Sequence, residues 1–131
     1  MMISSRGRYA LRVMIDLAGC EGCTPLKDIA ARQELSLKYL ESIMTILSKA
    51  GLVEGSHGRG GGYRLRRPPE EYTVEEILAL TEGGISAVGC KGGDCDHAGT
   101  CPTRPMWEKL DTLVTGFFHG ISLADLINEN V

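Results

Sequence analysis

Apolar residues recur every three or four positions near the start of the chain and predict a first helix from Ser5 to about Cys20. Its apolar face comprises Tyr9, Val13, Leu17 and Cys20. That spacing is typical of one buried side of a helix. Thr24 and Pro25 then resemble the cap and first residue of a second, short helix over residues 26–33.

A third helix is predicted between Ser36, which can cap it, and Gly51, which can end it. Its apolar positions form one stripe that we expect to be buried: Leu37, Leu40, Ile43, Met44 and Leu47. Its polar positions face elsewhere: Lys38, Tyr39, Glu41 and Ser42. A short helix, a tight turn and a second helix match the helix-turn-helix arrangement, in which the second helix enters the major groove of DNA. Many unrelated helix pairs share this pattern, so it is weak evidence alone.

The residues after the third helix predict a β-hairpin. A short strand over 52–55 and a returning strand over 63–67 flank the glycine-rich turn 56–62. A hairpin directly after a recognition helix is a wing, and Arg59 at its tip, with His57 beside it, is a candidate DNA contact. The alternative, a phosphate-binding nucleotide loop, is disfavoured because that loop opens a helix, whereas a strand follows here.

Three further helices are predicted in the second half of the chain. Thr73, with Glu76 three residues later, has the capping-box pattern at the start of a helix that Gly83 closes. A long amphipathic helix ends near Gly120, and a short capped helix begins at Ser122. The apolar positions of the long helix are Met106, Leu110, Leu113, Val114, Phe117 and Phe118. They exceed what one small core needs and predict a dimer interface, with an intramolecular core as the alternative.

The predicted fold class is therefore mainly α with a small β-hairpin wing, a winged helix-turn-helix followed by a long C-terminal dimerisation helix. We predict three parts: residues 1–82 as the DNA-binding domain, 83–102 as a cysteine-rich loop, and 103–131 as the dimerisation helix and a short C-terminal helix.

Charge divides along the chain in a way that agrees with this plan. Net charge is −3 over 131 residues, but residues 1–67 carry +5 and residues 68–131 carry −8. A basic front half favours contact with phosphates, and an acidic back half is suited to a different role. Chance scatter in a small protein is the alternative.

Cys90, Cys95 and Cys101 lie within a dozen residues, in a glycine-rich stretch. Gaps of four and five residues allow three thiolates to converge on one centre, either zinc or an iron–sulfur cluster, which usually needs a fourth ligand. Surface thiols without a ligand role are the alternative. Cys20 and Cys23 form a second pair that can hold zinc or cycle as a dithiol, but free cysteine is often a small core residue.

Composition excludes other classes of protein. No apolar run of about 18 residues or more predicts a membrane span, and no secretion signal is evident, so we expect a cytoplasmic protein with reduced thiols. The histidines His57, His97 and His119 are scattered and no catalytic constellation appears, so we predict no enzyme. Two alternative functions remain open: a protein-interaction module stabilised by zinc, and an iron–sulfur electron carrier.

Together, five motifs carry a resemblance to a known family. They are the sequences of residues 5–10 (SRGRYA), 36–41 (SLKYLE), 51–53 (GLV), 59–65 (RGGGYRL) and 122–126 (SLADL). The chain resembles the Rrf2 family of winged-helix transcriptional regulators, in its IscR/NsrR-like, cluster-binding branch. The resemblance implies a homodimer that binds double-stranded DNA and holds an iron–sulfur cluster, [2Fe-2S] in preference to [4Fe-4S], through Cys90, Cys95 and Cys101.

The fourth ligand stays open. Members with a histidine three residues after the last cysteine use it as a ligand, but Arg104 occupies that position here. His97, inside the loop, is our first choice. The alternatives are Asp94, Asp96, Cys20, Cys23 and a small thiol.

Recognition of DNA is predicted to divide into positioning and base reading. Arg6, Arg8 and Arg59 are candidates for phosphate and wing contacts. The polar face of the third helix, which includes Lys38 and Glu41, is predicted to meet base edges, and a twofold dimer predicts a near-palindromic operator. We expect cluster status, redox state or nitric oxide to control operator binding; a zinc-stapled or cluster-free regulator answering to a metabolite or protein is the alternative.

Overall fold

The computed structural model describes residues 2–88 and 99–131. The elements of these two stretches are, in order, α1 (Ser5–Ala18), α2 (Leu26–Gln33), α3 (Leu37–Lys49), β1 (Val53–Ser56), β2 (Gly62–Leu65), a 3-10 turn (Pro69–Glu71), α4 (Val74–Glu82), α5 (Arg104–His119) and α6 (Leu123–Ile127). The predicted fold class, mainly α with a two-stranded hairpin, is confirmed.

One hydrophobic core joins the first half of the chain to its last helix. Fully buried side chains from five helices meet there: Val13, Met14, Ile29, Leu40, Ile43, Ile77 and Leu123. The C-terminal segment is tied in by backbone hydrogen bonds from Leu123 N to Tyr72 O (3.0 Å) and from Val74 N to Ile121 O (2.9 Å). The short helix α6 is therefore part of the core that supports the helix-turn-helix.

Helix α3 begins where the sequence predicts. The Ser36 hydroxyl accepts a hydrogen bond from Tyr39 N (3.1 Å), which satisfies one of the free amides of the first turn. The helix ends before Gly51, whose φ of 76° lies in the left-handed region that glycine adopts readily. The predicted burial of Leu37 is wrong, because it is 47% exposed and the core covers the inner face of α3 only from Leu40 onward.

The connection between α1 and α2 differs from the prediction at two points. Helix α1 ends at Ala18, so Cys20 lies beyond it, half-buried, with its thiol donating to the backbone oxygen of Asp16 (3.3 Å). Thr24 is not the cap of α2, which is Pro25. The backbone of Thr24 instead pairs with Tyr63 through two hydrogen bonds of 2.8 and 2.9 Å, and this pairing holds it in an extended conformation.

The wing is an antiparallel hairpin in which Val53 faces Leu65. Its strands begin and end within one or two residues of the predicted bounds. Gly62 has a φ of 143°, and a side chain there would overlap the backbone oxygen of Thr24. Glycine at this position therefore allows the wing to lie directly against the connection between α1 and α2.

The second half also follows the predicted pattern of caps. The Thr73 hydroxyl accepts from Glu76 N (3.1 Å), whereas the Glu76 carboxylate accepts from Arg67 (2.8 Å). A full capping box occurs instead at Ser122 and Asp125. Helix α5 ends before Gly120, as expected. In the described part of the chain, no helix has both the length and the apolar character of a membrane span.

Tyr72 fastens the base of the wing to the core. Its ring is fully buried, and its hydroxyl donates to Leu52 O (2.6 Å) while accepting from Arg66 N and Arg67 N (3.0 Å each). These three backbone groups lie on both sides of the hairpin. One side chain therefore bridges the two strand ends, adding to the direct hydrogen bond from Arg66 N to Leu52 O (3.5 Å).

We expect Tyr72→Phe to lower the free energy of unfolding by about 1–3 kcal/mol, because it removes three hydrogen bonds that join the two sides of the hairpin. Urea denaturation measures the change. Tyr63→Phe, at a half-buried ring of the same wing, is the matched control and should change stability by less. Equal stability of Tyr72→Phe and wild type would contradict the role given to this hydroxyl.

Candidate DNA interface and cysteine segment

The outer face of α3 presents the predicted polar residues to solvent. Lys38, Glu41 and Ser42 are all exposed. The Ser42 hydroxyl donates to Tyr39 O (2.6 Å), so its proton is engaged and its oxygen remains an acceptor for an incoming group. Lys38 and Glu41 supply a donor and an acceptor, which suit guanine and cytosine edges respectively.

Tyr39 occupies a different position from its neighbours on α3. Its ring is half-buried and meets the ring of Tyr9 edge-on, with 6.1 Å between ring centroids. Its hydroxyl lies 3.4 Å from the Ser5 hydroxyl. Tyr39 therefore joins the outer face of α3 to the first turns of α1.

The predicted arginines of α1 lie on these same turns. Arg6 and Arg8 are both exposed, near the end of α1 that Tyr39 contacts. Arg12, one turn further on, lies over the Tyr9 ring at 5.3 Å and donates to Gln33 Oε1 (3.0 Å). The start of α1 and the outer face of α3 are thus adjacent and carry cationic side chains.

The tip of the wing is a tight turn that projects its side chains. Gly61 N donates to Gly58 O (2.9 Å), and Gly58 and Gly60 have φ values of 89° and 75°. Glycine adopts these left-handed values without strain, so the chain can reverse around Arg59. Arg59 and His57 are both exposed.

Two acidic residues near this surface, Asp16 and Glu54, are paired with arginines. The Asp16 side chain is only 5% exposed and accepts from Arg32 Nη2 (2.6 Å) and Gln33 Nε2 (2.9 Å). Burial acts to raise the pKa of Asp16, but these hydrogen bonds outweigh it and the pKa lies below its usual value. In the wing, Glu54 pairs with Arg64 across the two strands.

The cysteine segment is described only at its two ends. Cys90, Cys95 and His97 lie outside the described residues, as do Asp94 and Asp96. Cys101 is a half-buried free thiol two residues before Thr103, the N-cap of α5. No group of three or more metal-ligating side chains occurs within residues 2–88 and 99–131.

Cys101 lies in surroundings that favour its thiolate. Its Sγ is 3.2 Å from Thr103 Oγ1. The Thr103 hydroxyl, then the Thr103 backbone N–H and Arg104, hold the pKa of Cys101 below its ordinary value. The thiolate is the form that binds metal, so this described residue fits the predicted ligand role.

Both ends of the cysteine segment are attached to α5. Asp111, a buried residue of that helix, accepts from Ala87 N (2.7 Å) and from the Ser86 hydroxyl (3.1 Å). At the other end of the segment, Cys101 lies just before Arg104, the first residue of the same helix. Sequence reasoning missed Asp111, although an acidic residue among the apolar positions of an amphipathic helix is a visible signal.

These features define the class of protein: a winged helix-turn-helix with a cysteine segment joined to a long helix. The family model described as Rrf2, iron-dependent transcriptional regulator, matches residues 3–129. The chain belongs to this family of transcriptional regulators, a family not known as enzymes.

Individual relatives agree with the family assignment. The HTH-type transcriptional regulator IscR of Aliivibrio salmonicida is 41% identical over 133 residues, covering 99% of this chain and 79% of that protein. Among solved structures, T. potens IscR is 34% identical with a TM-score of 0.78, covering 100% of this chain and 89% of that one. The global cysteine regulator CymR of B. subtilis is 35% identical with a TM-score of 0.83, covering 98% of each chain.

We expect Thr103→Val to raise the pKa of Cys101, because the hydroxyl that stabilises the thiolate is removed. Alkylation by iodoacetamide across pH 6–10 measures it in metal-free protein with the other four cysteines replaced by serine. The inflection should move to higher pH, and alkylation at neutral pH should slow. Thr100→Val, at an exposed neighbour, is the control, and an inflection that matches wild type in both variants would contradict this assignment.

Proposed function

We propose that this chain forms a homodimeric DNA-binding regulator whose affinity for its operator depends on an iron–sulfur cluster held by Cys90, Cys95 and Cys101. The single observation that carries the proposal is the shared attachment to α5. The cysteine segment begins beside Asp111 and ends at Cys101, and α5 exposes an apolar face. Binding of a cluster by the segment would therefore affect the position of α5, the helix proposed to join two chains.

DNA binding is assigned to residues 1–82 and cluster binding to 83–102. Within residues 103–131, pairing is assigned to α5, whereas the short helix α6 packs in the core. Lys38, Glu41 and Ser42 would read base edges in the major groove, with Tyr39 at the border of that face. Arg6, Arg8, Arg59 and His57 would contact the phosphate backbone or the minor groove and fix the register. A twofold pair would bind a near-palindromic operator with half-sites about one helical turn apart.

The family description supports iron as the metal, and three thiolates suit an iron–sulfur cluster, [2Fe-2S] in preference to [4Fe-4S]. The chemistry that such a cluster supplies is sensitivity to oxidants, nitric oxide and iron supply. This chain's part is to hold the thiolates, and the Thr103 hydroxyl beside Cys101 lowers the pKa of that thiol. His97 is our choice for the fourth ligand.

Pairing through α5 is supported by its exposed side chains. Met106, Leu113 and Phe117 are 55, 62 and 60% exposed. A second copy related by a twofold axis would cover this face with the same residues, as in most homodimers.

We expect Lys38→Ala and Arg59→Ala to weaken DNA binding in different ways. Lys38→Ala should cost about 1–3 kcal/mol on an operator duplex selected from a random library and less on a random duplex. Arg59→Ala should weaken both duplexes and lower the slope of log affinity against log salt by about one. Fluorescence anisotropy from 50 to 200 mM salt separates the two effects.

Lys109→Ala, at an exposed lysine of α5, is the control and should leave both affinities close to wild type. Retention of wild-type operator affinity and salt slope by both Lys38→Ala and Arg59→Ala would remove α3 and the wing from the DNA interface.

We expect protein purified without oxygen to be coloured and to contain iron and sulfide, and Cys101→Ala to lose most of both because a thiolate ligand is missing. The visible spectrum with iron and sulfide analysis measures this. Thr100→Ala, at an exposed neighbour of Cys101 that cannot replace a thiolate ligand, is the control and should retain the cluster. A colourless wild type that ferrous iron and sulfide cannot reconstitute would refute the cluster and favour a zinc-stapled or cluster-free regulator.

A further inference from the structure

The last residue of α4 holds the first residues of α1. Oxygen Oε1 of Glu82 accepts hydrogen bonds from both the backbone N and the hydroxyl of Ser4, each at 2.8 Å. The Ser4 hydroxyl in turn accepts from Gly7 N (3.0 Å), which makes Ser4 the N-cap of α1. One carboxylate oxygen therefore fixes the residue that starts α1, even though the two residues are 78 positions apart.

Gly7 provides the space for this contact. A side chain at Gly7 would overlap Oε1 of Glu82 and would come within 3.1 Å of Leu78 and Thr81. Gly7 is itself buried where α1 packs against α4. The glycine is therefore explained by close approach to the Glu82 carboxylate, since its place inside a helix would otherwise favour alanine.

The start of α1 also contacts the recognition helix. Ser5, next to the cap, lies 3.4 Å from the hydroxyl of Tyr39, and Tyr9, one turn later, meets the Tyr39 ring edge-on. Arg6 and Arg8 lie on the same two turns. The orientation of these turns thus affects two groups of candidate DNA contacts together.

Glu82 also lies close to the cysteine segment along the chain. It is the last residue of α4, and Ser86 and Ala87, which Asp111 holds, follow only four and five residues later. Hydrogen bonds and chain neighbours therefore connect Glu82 through Ser4 and Ser5 to Tyr39 on α3, and Glu82 precedes the described beginning of the cysteine segment by only four residues of chain.

We infer that Glu82 is a positioning residue that aligns the start of α1 with the recognition helix and carries the state of the cysteine segment to the DNA-binding surface. The second part of this inference rests on the proposed function. Glu82 acts by fixing Ser4, and through Ser4 the turns that hold Tyr39, Arg6 and Arg8.

The test compares Glu82→Ala, Glu82→Gln and the control Glu70→Ala, which removes an exposed carboxylate from the 3-10 turn. For each, the ratio of affinities for the selected operator and a random duplex is measured with cluster-loaded and with stripped protein. Glu82→Ala should lower this ratio about tenfold in the better-binding state, within the usual range of coupling between sites. Glu82→Gln keeps an acceptor for Ser4 and should retain most of the ratio, and Glu70→Ala should match wild type.

A second pair of variants tests the contact itself. Gly7→Ala should lower the operator-to-random ratio, because the new methyl group displaces the Glu82 carboxylate. The same change in a Glu82→Ala background should have a smaller effect, since the overlapping atom is gone, so the two changes should not be additive. Circular dichroism and thermal melting confirm that each variant is folded before its ratio is compared.

The outcomes separate this inference from the proposed function. Glu82→Ala with a wild-type ratio in both states would overturn the positioning role, whatever the cluster does. Equal operator affinity of the wild-type protein with and without the cluster would refute cluster sensing and its transmission through Glu82. The operator-to-random affinity ratio of Glu82→Ala would still decide the positioning role. Additive effects of Gly7→Ala and Glu82→Ala would show that the carboxylate and the glycine act independently.

Discussion

Helix α5 exposes Met106, Leu113 and Phe117 to solvent, and its one buried residue is Asp111. Full burial of a large apolar side chain stabilises a protein by about 1.5–3 kcal/mol. These partly exposed side chains realise only part of that free energy. The proposed function depends on burial of this apolar face. Its burial needs a second surface that matches the length of the exposed face. A second copy of the chain meets that requirement symmetrically.

A pair built through α5 would link the cysteine segment to the geometry of the two DNA-binding units. Asp111 holds the beginning of the segment, and Cys101 precedes the first turn of the helix. On the opposite side, Glu82 connects the end of α4 to the start of α1. A change in the segment would therefore affect both the proposed interface between two copies and the proposed DNA-binding surface.

Local sequence patterns predicted the elements but not the contacts between them. The periodicity of α3 and the cap at Ser36 depend on neighbouring residues, so they could be predicted without tertiary information. The pairing of Thr24 with Tyr63, the packing of Tyr39 on Tyr9 and the hydrogen bond from Ser4 to Glu82 join residues far apart in the chain. Helical and strand periodicity does not predict such pairs. The local sequence therefore favours Thr24 as a cap and gives no sign of the contact between Ser4 and Glu82. The family resemblance favours an iron–sulfur cluster, whereas the spacing of the cysteines alone is compatible with either an iron–sulfur cluster or zinc.

The most direct measurement of the central claim is the mass of the protein in solution, by sedimentation velocity at micromolar concentration, for wild type and Phe117→Lys. We expect twice the chain mass for wild type and a folded monomer for Phe117→Lys, because burial of an unpaired ammonium in an apolar interface is strongly unfavourable. Ile127→Lys, which changes an exposed apolar residue of α6, should remain paired. A monomeric wild type, or a Phe117→Lys protein that pairs as tightly as wild type, would contradict the claim that α5 joins two copies.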